Sequence, residues 1–189
     1  MKNKFLNAAA PVLILTTLSF TTVKKNVDVE ASTIEWTGKK IAGAHNGIIQ
    51  LKEGYLNFTE DDKLTGGEFI MDMKSIVVTD LEGEGKTKLE GHLNSEDFFG
   101  VDKFPSSKLV ITEARPKSEN VYSVKADLTI KGKTEPVTFD MEVNGETASA
   151  TVVIDRTKYG IRYGSGSFFS NLGDNTIHNN FTLDVNLKF

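Results

Sequence analysis

The last nine residues restrict the fold more than any other stretch: Phe181, Leu183, Val185, Leu187 and Phe189 alternate with Thr182, Asp184, Asn186 and Lys188. A period of two puts every apolar side chain on one face of an extended strand, whereas a helix would scatter them around its circumference. The pattern recurs in Val121 to Lys131, where Tyr122, Val124, Ala126, Leu128 and Ile130 form a dry face and Ser123, Lys125, Asp127, Thr129 and Lys131 a wet one. Glu68 to Met73 alternates around Phe69, Met71 and Met73, and Val137 to Val143 around Phe139 and Met141. Ser32 to Thr37, Lys108 to Glu113 and Thr147 to Asp155 also read as strands, and Gly47 to Leu51 with Tyr55 to Thr59 as a short pair around Glu53-Gly54. Asn144-Gly145 is a strong hairpin signal. About eight antiparallel strands with one dry face each must bury those faces together, in a sandwich or a closed barrel. An eight-stranded barrel has room inside for its own side chains or for one slim ligand.

The amino terminus has a different character. Lys2 and Lys4 precede an apolar run from Ala8 to Phe20, which reads as an export signal; small residues place the mature start between Thr21 and Ser32. The expected organisation is therefore a leader over residues 1–31 and one domain over 32–189, in a periplasmic or secreted protein. An uncleaved anchor is the rival, since Phe5 to Val23 approaches the roughly 20 residues of a spanning helix. With no cysteine, stability must come from core burial rather than disulfides. Losing residues 1–31 removes four lysines and two acids, leaving 18 basic and 24 acidic residues and a net charge of −6. Such a surface repels phosphate backbones, and no basic run interleaved with aromatics offsets it, so nucleic acid is not an expected partner.

Between the strands lies Gly91 to Pro105, GHLNSEDFFGVDKFP, with three phenylalanines. Gly100 and Pro105 prevent one long helix from burying them, so the segment either plugs the end of a β-core or lines the mouth of a cavity. A single short helix is expected just before it, beginning near Thr87 and turning Leu89 and Leu93 toward the core. Gly85-Lys86-Thr87 has the ending of a phosphate-binding loop, but Asp80 stands where its first glycine must be.

His92-Leu93, Asp97-Phe98-Phe99 and Val101 to Pro105 together resemble the HL-x-S-x-DFF-x-V-x-K-[YF]-P signature of the YceI-like family of secreted lipid-binding proteins. Trp36-Thr37-Gly38-Lys39-Lys40 with Gly43, His45 and Gly47 is similar to the family's opening. Asp72 to Ile76, Leu128 to Val137 and Asp155 to Gly160 are similar to its later segments, so the resemblance covers nearly the whole chain in order. It implies an all-β, antiparallel, lipocalin-like barrel of about eight strands, with one short helix and an aromatic loop at the mouth. It further implies a long apolar pore for a polyisoprenoid or similar long-chain lipid. The chain departs from the pattern at Leu89-Glu90-Gly91, where many members carry Arg-Asp, and in a longer passage from Ile161 to Asp174.

The expected wall of such a pore is Phe69, Met71, Leu93, Phe98, Phe99, Phe104, Phe139, Met141 and Phe181; each alone could equally be plain core. His45, His92, Asp97 and Arg156 are the candidates for its polar mouth. Burial of a chain at roughly 0.8 kcal/mol per CH₂ would drive binding without strong polar contacts. No nucleophile elbow, Ser-His-Asp arrangement or metal-ligand spacing is present, so neither catalysis, cofactor nor metal is expected. Three readings stay open: a lipid carrier or store exchanging with membrane lipids, an envelope enzyme acting on a lipid or polyprenyl phosphate, and a stress-related envelope protein with a filled core. Aromatic residues at a barrel end also leave room for a homodimer.

Overall fold

The computed structural model describes residues 22–189. Most of the leader, including its apolar run, lies outside the described residues. Nine strands follow: β1 (Thr22–Asn26), β2 (Thr33–Lys40), β3 (Gly43–Thr59), β4 (Leu64–Val78), β5 (Ser106–Pro116), β6 (Val121–Ile130), β7 (Lys133–Asn144), β8 (Thr147–Asp155) and β9 (Ile177–Lys188). A helix, α1 (Gly83–Asn94), joins β4 to β5, and short 3₁₀ turns at Arg156–Tyr159 and Gly173–Asn175 lie between β8 and β9. Every strand pairing is antiparallel, and β4 pairs with β3 as well as β5, which closes the sheet. The expected eight-stranded barrel is what forms.

The ninth strand does not enlarge the barrel. β1 pairs with the second half of β3, from Thr22 opposite Thr59 to Asn26 opposite Tyr55. β2 pairs with the first half, so the two act as one interrupted stave. Asp28 marks the break: its carboxylate accepts from the amides of Glu30 and Ala31, and its own amide donates to the carbonyl of Lys188 on β9. Paired strand therefore extends upstream of Ser32. Alternation could not reveal β1, which is exposed along most of its length and carries no apolar period.

Two local expectations are corrected and a third, the hairpin, is borne out with its loop one residue further on. Gly47 to Leu51 and Tyr55 to Thr59 are not two strands but parts of β3, which absorbs Lys52 as a bulge and continues its pairing with β4. The helix starts at Gly83 instead of near Thr87; Thr87 is a turn inside it, its hydroxyl donating to the Gly83 carbonyl at 3.2 Å. The β7–β8 hairpin has Gly145 and Glu146 as its loop, because Asn144 already pairs with Thr147. Gly145 supplies the positive φ, 60°, that this loop needs.

The dry faces read from the sequence all turn inward. Leu56, Val78, Val124, Ala126, Leu128 and Ile154 are almost wholly buried, with Phe58, Leu64 and Tyr122 closing the end formed by the β3–β4 and β5–β6 turns. We call this end the floor. The opposite end, the top, carries α1, the aromatic stretch, the β2–β3 and β6–β7 turns and the long β8–β9 connection.

Candidate ligand-binding site

The barrel interior is not filled. In the upper half is a cavity with about 780 Å³ of empty space, its open mouth included. It is a slot rather than a chamber, since only a small part of that space is wide enough to admit water. A second, tighter space lies deeper, lined by residues of all eight staves, and little of it is wide enough to hold a water molecule. Met71, Leu128, Ile154 and Leu183 belong to both walls, so the two spaces adjoin along the barrel axis.

Five apolar candidates meet in the upper wall: Met71, Leu93, Phe98, Phe99 and Phe181. Phe69, Phe139 and Met141, with Met71 again, line the deeper space. The aromatic stretch thus belongs to both of its expected roles, covering the barrel end while giving two rings to the cavity. Phe98 and Phe99 meet edge to face at 5.1 Å, and Phe99 meets Phe181 at 6.3 Å. Ser95 terminates α1 and turns the chain toward these rings, its hydroxyl donating to the His92 carbonyl at 2.8 Å.

Phe104 does not reach the cavity. It lies over Gly100 and Gly132, and a methyl group on Gly132 would stand 3.3 Å from its ring. Lys131 and Gly132 both take positive φ in the tight β6–β7 turn, which leaves a flat surface for that ring.

Of the polar candidates, only Arg156 is in the cavity wall. It is 2% exposed and the only charged side chain buried to that degree among the described residues. Its Nε, Nη1 and Nη2 donate to the carbonyls of His178, Ile161 and Ile177 at 3.1, 2.9 and 3.2 Å. Phe98 covers the guanidinium at 5.5 Å. Burial moves the Arg156 pKa down, with Asp155 opposing the shift, yet a guanidinium stays charged. The cavity therefore ends against a buried positive charge satisfied by backbone oxygens alone.

The other three polar candidates lie elsewhere. His45 is held outside the cavity by Asp80, Nδ1 to Oδ2 at 2.8 Å. Burial pushes the Asp80 carboxyl up, but hydrogen bonds from His45 and the Asn46 amide outweigh it and leave the pKa lowered. His92 is wedged between Tyr163 at 4.3 Å and Phe98 at 5.5 Å, behind the wall instead of in it. Asp97 is exposed. A histidine in a recognisable motif signals a fixed position, and here that position serves packing.

Several wall residues escaped the sequence reading: Trp36, Gly38, Ile49, Met73, Ile76, Ser107, Leu128, Ile130 and Ile154. Alternation could have found most of them, since Trp36 and Gly38 share the face of Ile34 and Met73 that of Met71. Trp36 lies across Gly47, where a methyl group would come within 2.7 Å of the indole, and its Nε1 is buried without a hydrogen-bond partner. Gly38 matters by omission: a methyl group there would meet nothing within 4 Å.

The cavity reaches the surface at one seam. Along β2 and β9, Gly38 pairs with Phe181 but Lys40 with Ile177, so β9 holds two more residues than β2 over that interval. Exposed Lys39, His178 and Asn180 accordingly join the cavity wall beside inward-facing Gly38 and Phe181. Among the described residues no three His, Cys, Asp or Glu side chains are gathered as metal ligands.

Several family-like segments prove to be local scaffolding. Asp155 starts the 3₁₀ turn by accepting from the Thr157 amide and hydroxyl at 2.9 and 2.6 Å, and Gly160 ends it at φ 80°. Ser75 accepts from the Gln50 amide and donates to the Asp72 carbonyl, bridging the irregular part of the β3–β4 pairing. Glu90, at the departure from the Arg-Asp pattern, accepts from the Val78 amide at 2.9 Å and ties α1 to the end of β4.

A closed eight-stranded antiparallel barrel, lidded by one helix and containing an apolar slot that opens at one end, defines a lipocalin-like binding barrel. The YceI-like domain model matches residues 26–189, and the chain belongs to that family. A UPF0312 protein of Pseudomonas putida (strain W619) is 35% identical over 91 residues, covering 48% of this chain and 45% of its own. A UPF0312 protein of Staphylococcus aureus (strain USA300) is 39% identical over 85 residues, covering 39% of this chain and 47% of its own. These matches thus span a little under half the length of the curated relatives. Among solved structures, BcnA of Burkholderia cenocepacia superposes with a TM-score of 0.64 at 22% identity, covering 85% of this chain and 98% of its own. A polyisoprenoid-binding domain from Saccharophagus degradans does so with a TM-score of 0.58 at 11% identity, covering 89% and 97%. At those identities the likeness is one of fold.

Proposed function

We propose that this protein binds a single long-chain amphiphile, a polyisoprenoid or comparable lipid, in the barrel slot, and carries or stores it outside the cytoplasm without turning it over. The observation that carries the reading is the pair of apolar spaces stacked along the barrel interior, one beside the β2–β9 seam and the other beside Phe139 and Met141, which share Met71, Leu128, Ile154 and Leu183 in their walls. Its narrowness suits an extended chain better than a globular ligand, and its lining offers dispersion contacts along the full length. The polyisoprenoid-binding neighbour and the family membership support the same class of ligand. Trp36 Nε1 and the positive end at Arg156 are the groups available to a polar head, and both lie in the upper wall.

The open interior weighs against a structural protein with a filled core. The polar side chains of the slot wall, Lys39, Ser107, Arg156, His178 and Asn180, include no carboxylate to pair with a base, which favours binding over turnover. Export is inferred from the leader alone.

The reading is tested by purifying the protein from its native host, extracting it with organic solvent and examining the extract by mass spectrometry. A long-chain lipid in about one-to-one ratio with protein is expected. Absence of lipid, together with failure to take up polyprenyl or fatty acyl chains offered in solution, would overturn it.

A further inference from the structure

Four large apolar side chains stand in water around the seam where the slot opens. Ile41 is 61% exposed in the β2–β3 turn, and Tyr163, Phe168 and Phe169 are 49%, 46% and 51% exposed in the β8–β9 connection. The two segments adjoin: the Ile41 amide donates to the Thr176 carbonyl at 3.0 Å, and Ser165 bridges to Ile177, which is part of the slot wall. The arrangement is held in shape rather than left loose. Buried Ser165 donates to Asn179 at 2.6 Å, and Asn179 donates to Ser167 at 2.8 Å, so the Phe168-Phe169 tip is tied to β9. Nothing in the binding slot needs these rings, because neither Phe168 nor Phe169 lines it.

Three cations flank the exposed rings, although the whole chain has a net charge of −4. Lys39 and Lys40 end β2 beside Ile41, and Arg162 stacks on Phe168 at 4.6 Å. Among the described residues none of the three is in an ion pair, and one acid, Asp174, lies in the same connection. Exposed aromatic rings flanked by unpaired cations complement the headgroup and upper acyl region of an anionic bilayer.

The geometry points to a membrane-docking rim: Ile41, Phe168 and Phe169 enter the interface of an anionic lipid bilayer, with Lys40 and Arg162 on its headgroups, and so set the β2–β9 opening against the lipid. As a route for loading or unloading, this rests on the lipid-binding reading; as a surface, it does not. A guest could then move between bilayer and slot without its apolar chain crossing water.

Because the chain has no cysteine, single labels report which end meets a membrane. An environment-sensitive fluorophore is placed on Ser170→Cys, beside the aromatic tip, and separately on Ser118→Cys, in the floor turn between β5 and β6. Each is titrated with vesicles of phosphatidylcholine alone and of phosphatidylcholine with phosphatidylglycerol in equal parts. The label at 170 is expected to shift to the blue and to be quenched by brominated acyl chains in the anionic vesicles, while the label at 118 is unchanged. Adding Phe168→Ser and Phe169→Ser should raise the lipid concentration needed by about tenfold, and Lys40→Glu should remove the preference for anionic vesicles. An unchanged melting temperature shows that these variants fold.

No response at 170, or equal responses at 170 and 118, overturns the proposal. So does a blue shift at 170 that grows with protein concentration in the absence of vesicles, which would assign the patch to a second copy of the chain. Uptake of a polyprenyl chain offered in solution is measured on the same samples. Uptake without a membrane response removes the docking rim alone, whereas a membrane response without uptake removes the lipid-binding reading and leaves the rim.

Discussion

The floor and the top of the barrel are built from the same alternating strands, yet one is packed and the other is hollow. Glycines show the difference most directly. In the lower part of the barrel, a methyl group on Gly67 would lie 2.7 Å from the Tyr55 carbonyl oxygen, and one on Gly54 would lie 2.7 Å from the Phe69 ring. At the top, one on Gly38 would find empty space. The space a side chain would take is used by neighbouring atoms at Gly67 and Gly54, as it is by Trp36 at Gly47, but at Gly38 it is left vacant in front of the cavity. The dry face of a strand indicates where apolar surface goes, not whether the space in front of it is occupied.

The largest expected effect should come from the floor. Leu56→Ala removes a fully buried side chain from tight packing and should cost about 3 kcal/mol in denaturant unfolding. Met73→Ala, in the slot wall, should cost about 2 kcal/mol, at the low end for a buried methionine, because its side chain already borders empty space. Equal costs would break the contrast between the two ends.

Arg156→Met comes next. It retains bulk but strands three backbone carbonyls, for an expected loss of about 2 kcal/mol, and it removes the positive end of the slot. Weaker binding of an acidic amphiphile than of its neutral analogue, relative to the original protein, would show that the charge faces the guest. Gly38→Leu should fill the slot from its own wall, reducing uptake of a long-chain probe about tenfold while leaving the unfolding midpoint unchanged. A large loss of stability instead would mean that the vacancy is only apparent.

The smallest effect is expected at the outer surface of the top. Asp80→Asn breaks the contact with His45 and should leave lipid uptake unaltered. Because the folded pKa of Asp80 lies below its ordinary value of 3.8, its contribution is present at neutral pH and is lost as the pH falls through the lowered folded value. Unfolding of D80N and the original protein should thus converge in acid, and a difference persisting there would show that the residue acts through packing rather than charge.

The cavity walls hold most of the apolar candidates and only one of the polar ones. Met71, Phe98, Phe99, Phe139 and Phe181 could be placed because the strand period or an aromatic cluster forces such side chains out of water. His45, His92 and Asp97 could not, since a polar side chain is stable wherever a partner or solvent is available. His45 found Asp80, His92 found two rings, and Asp97 remained in solvent. Phe104 failed for another reason, because a flat pair of glycines gave it a different surface to cover.

By itself the sequence determined the strands, the face each one dries and the antiparallel all-β architecture, because period-two alternation is a local property that water enforces residue by residue. Tertiary structure alone decided that β1 completes the stave begun by β2, that β9 outruns β2 at the seam and that the upper interior stays empty. Those features depend on how eight staves sum their volumes and registers around a closed ring, and no single strand encodes that sum.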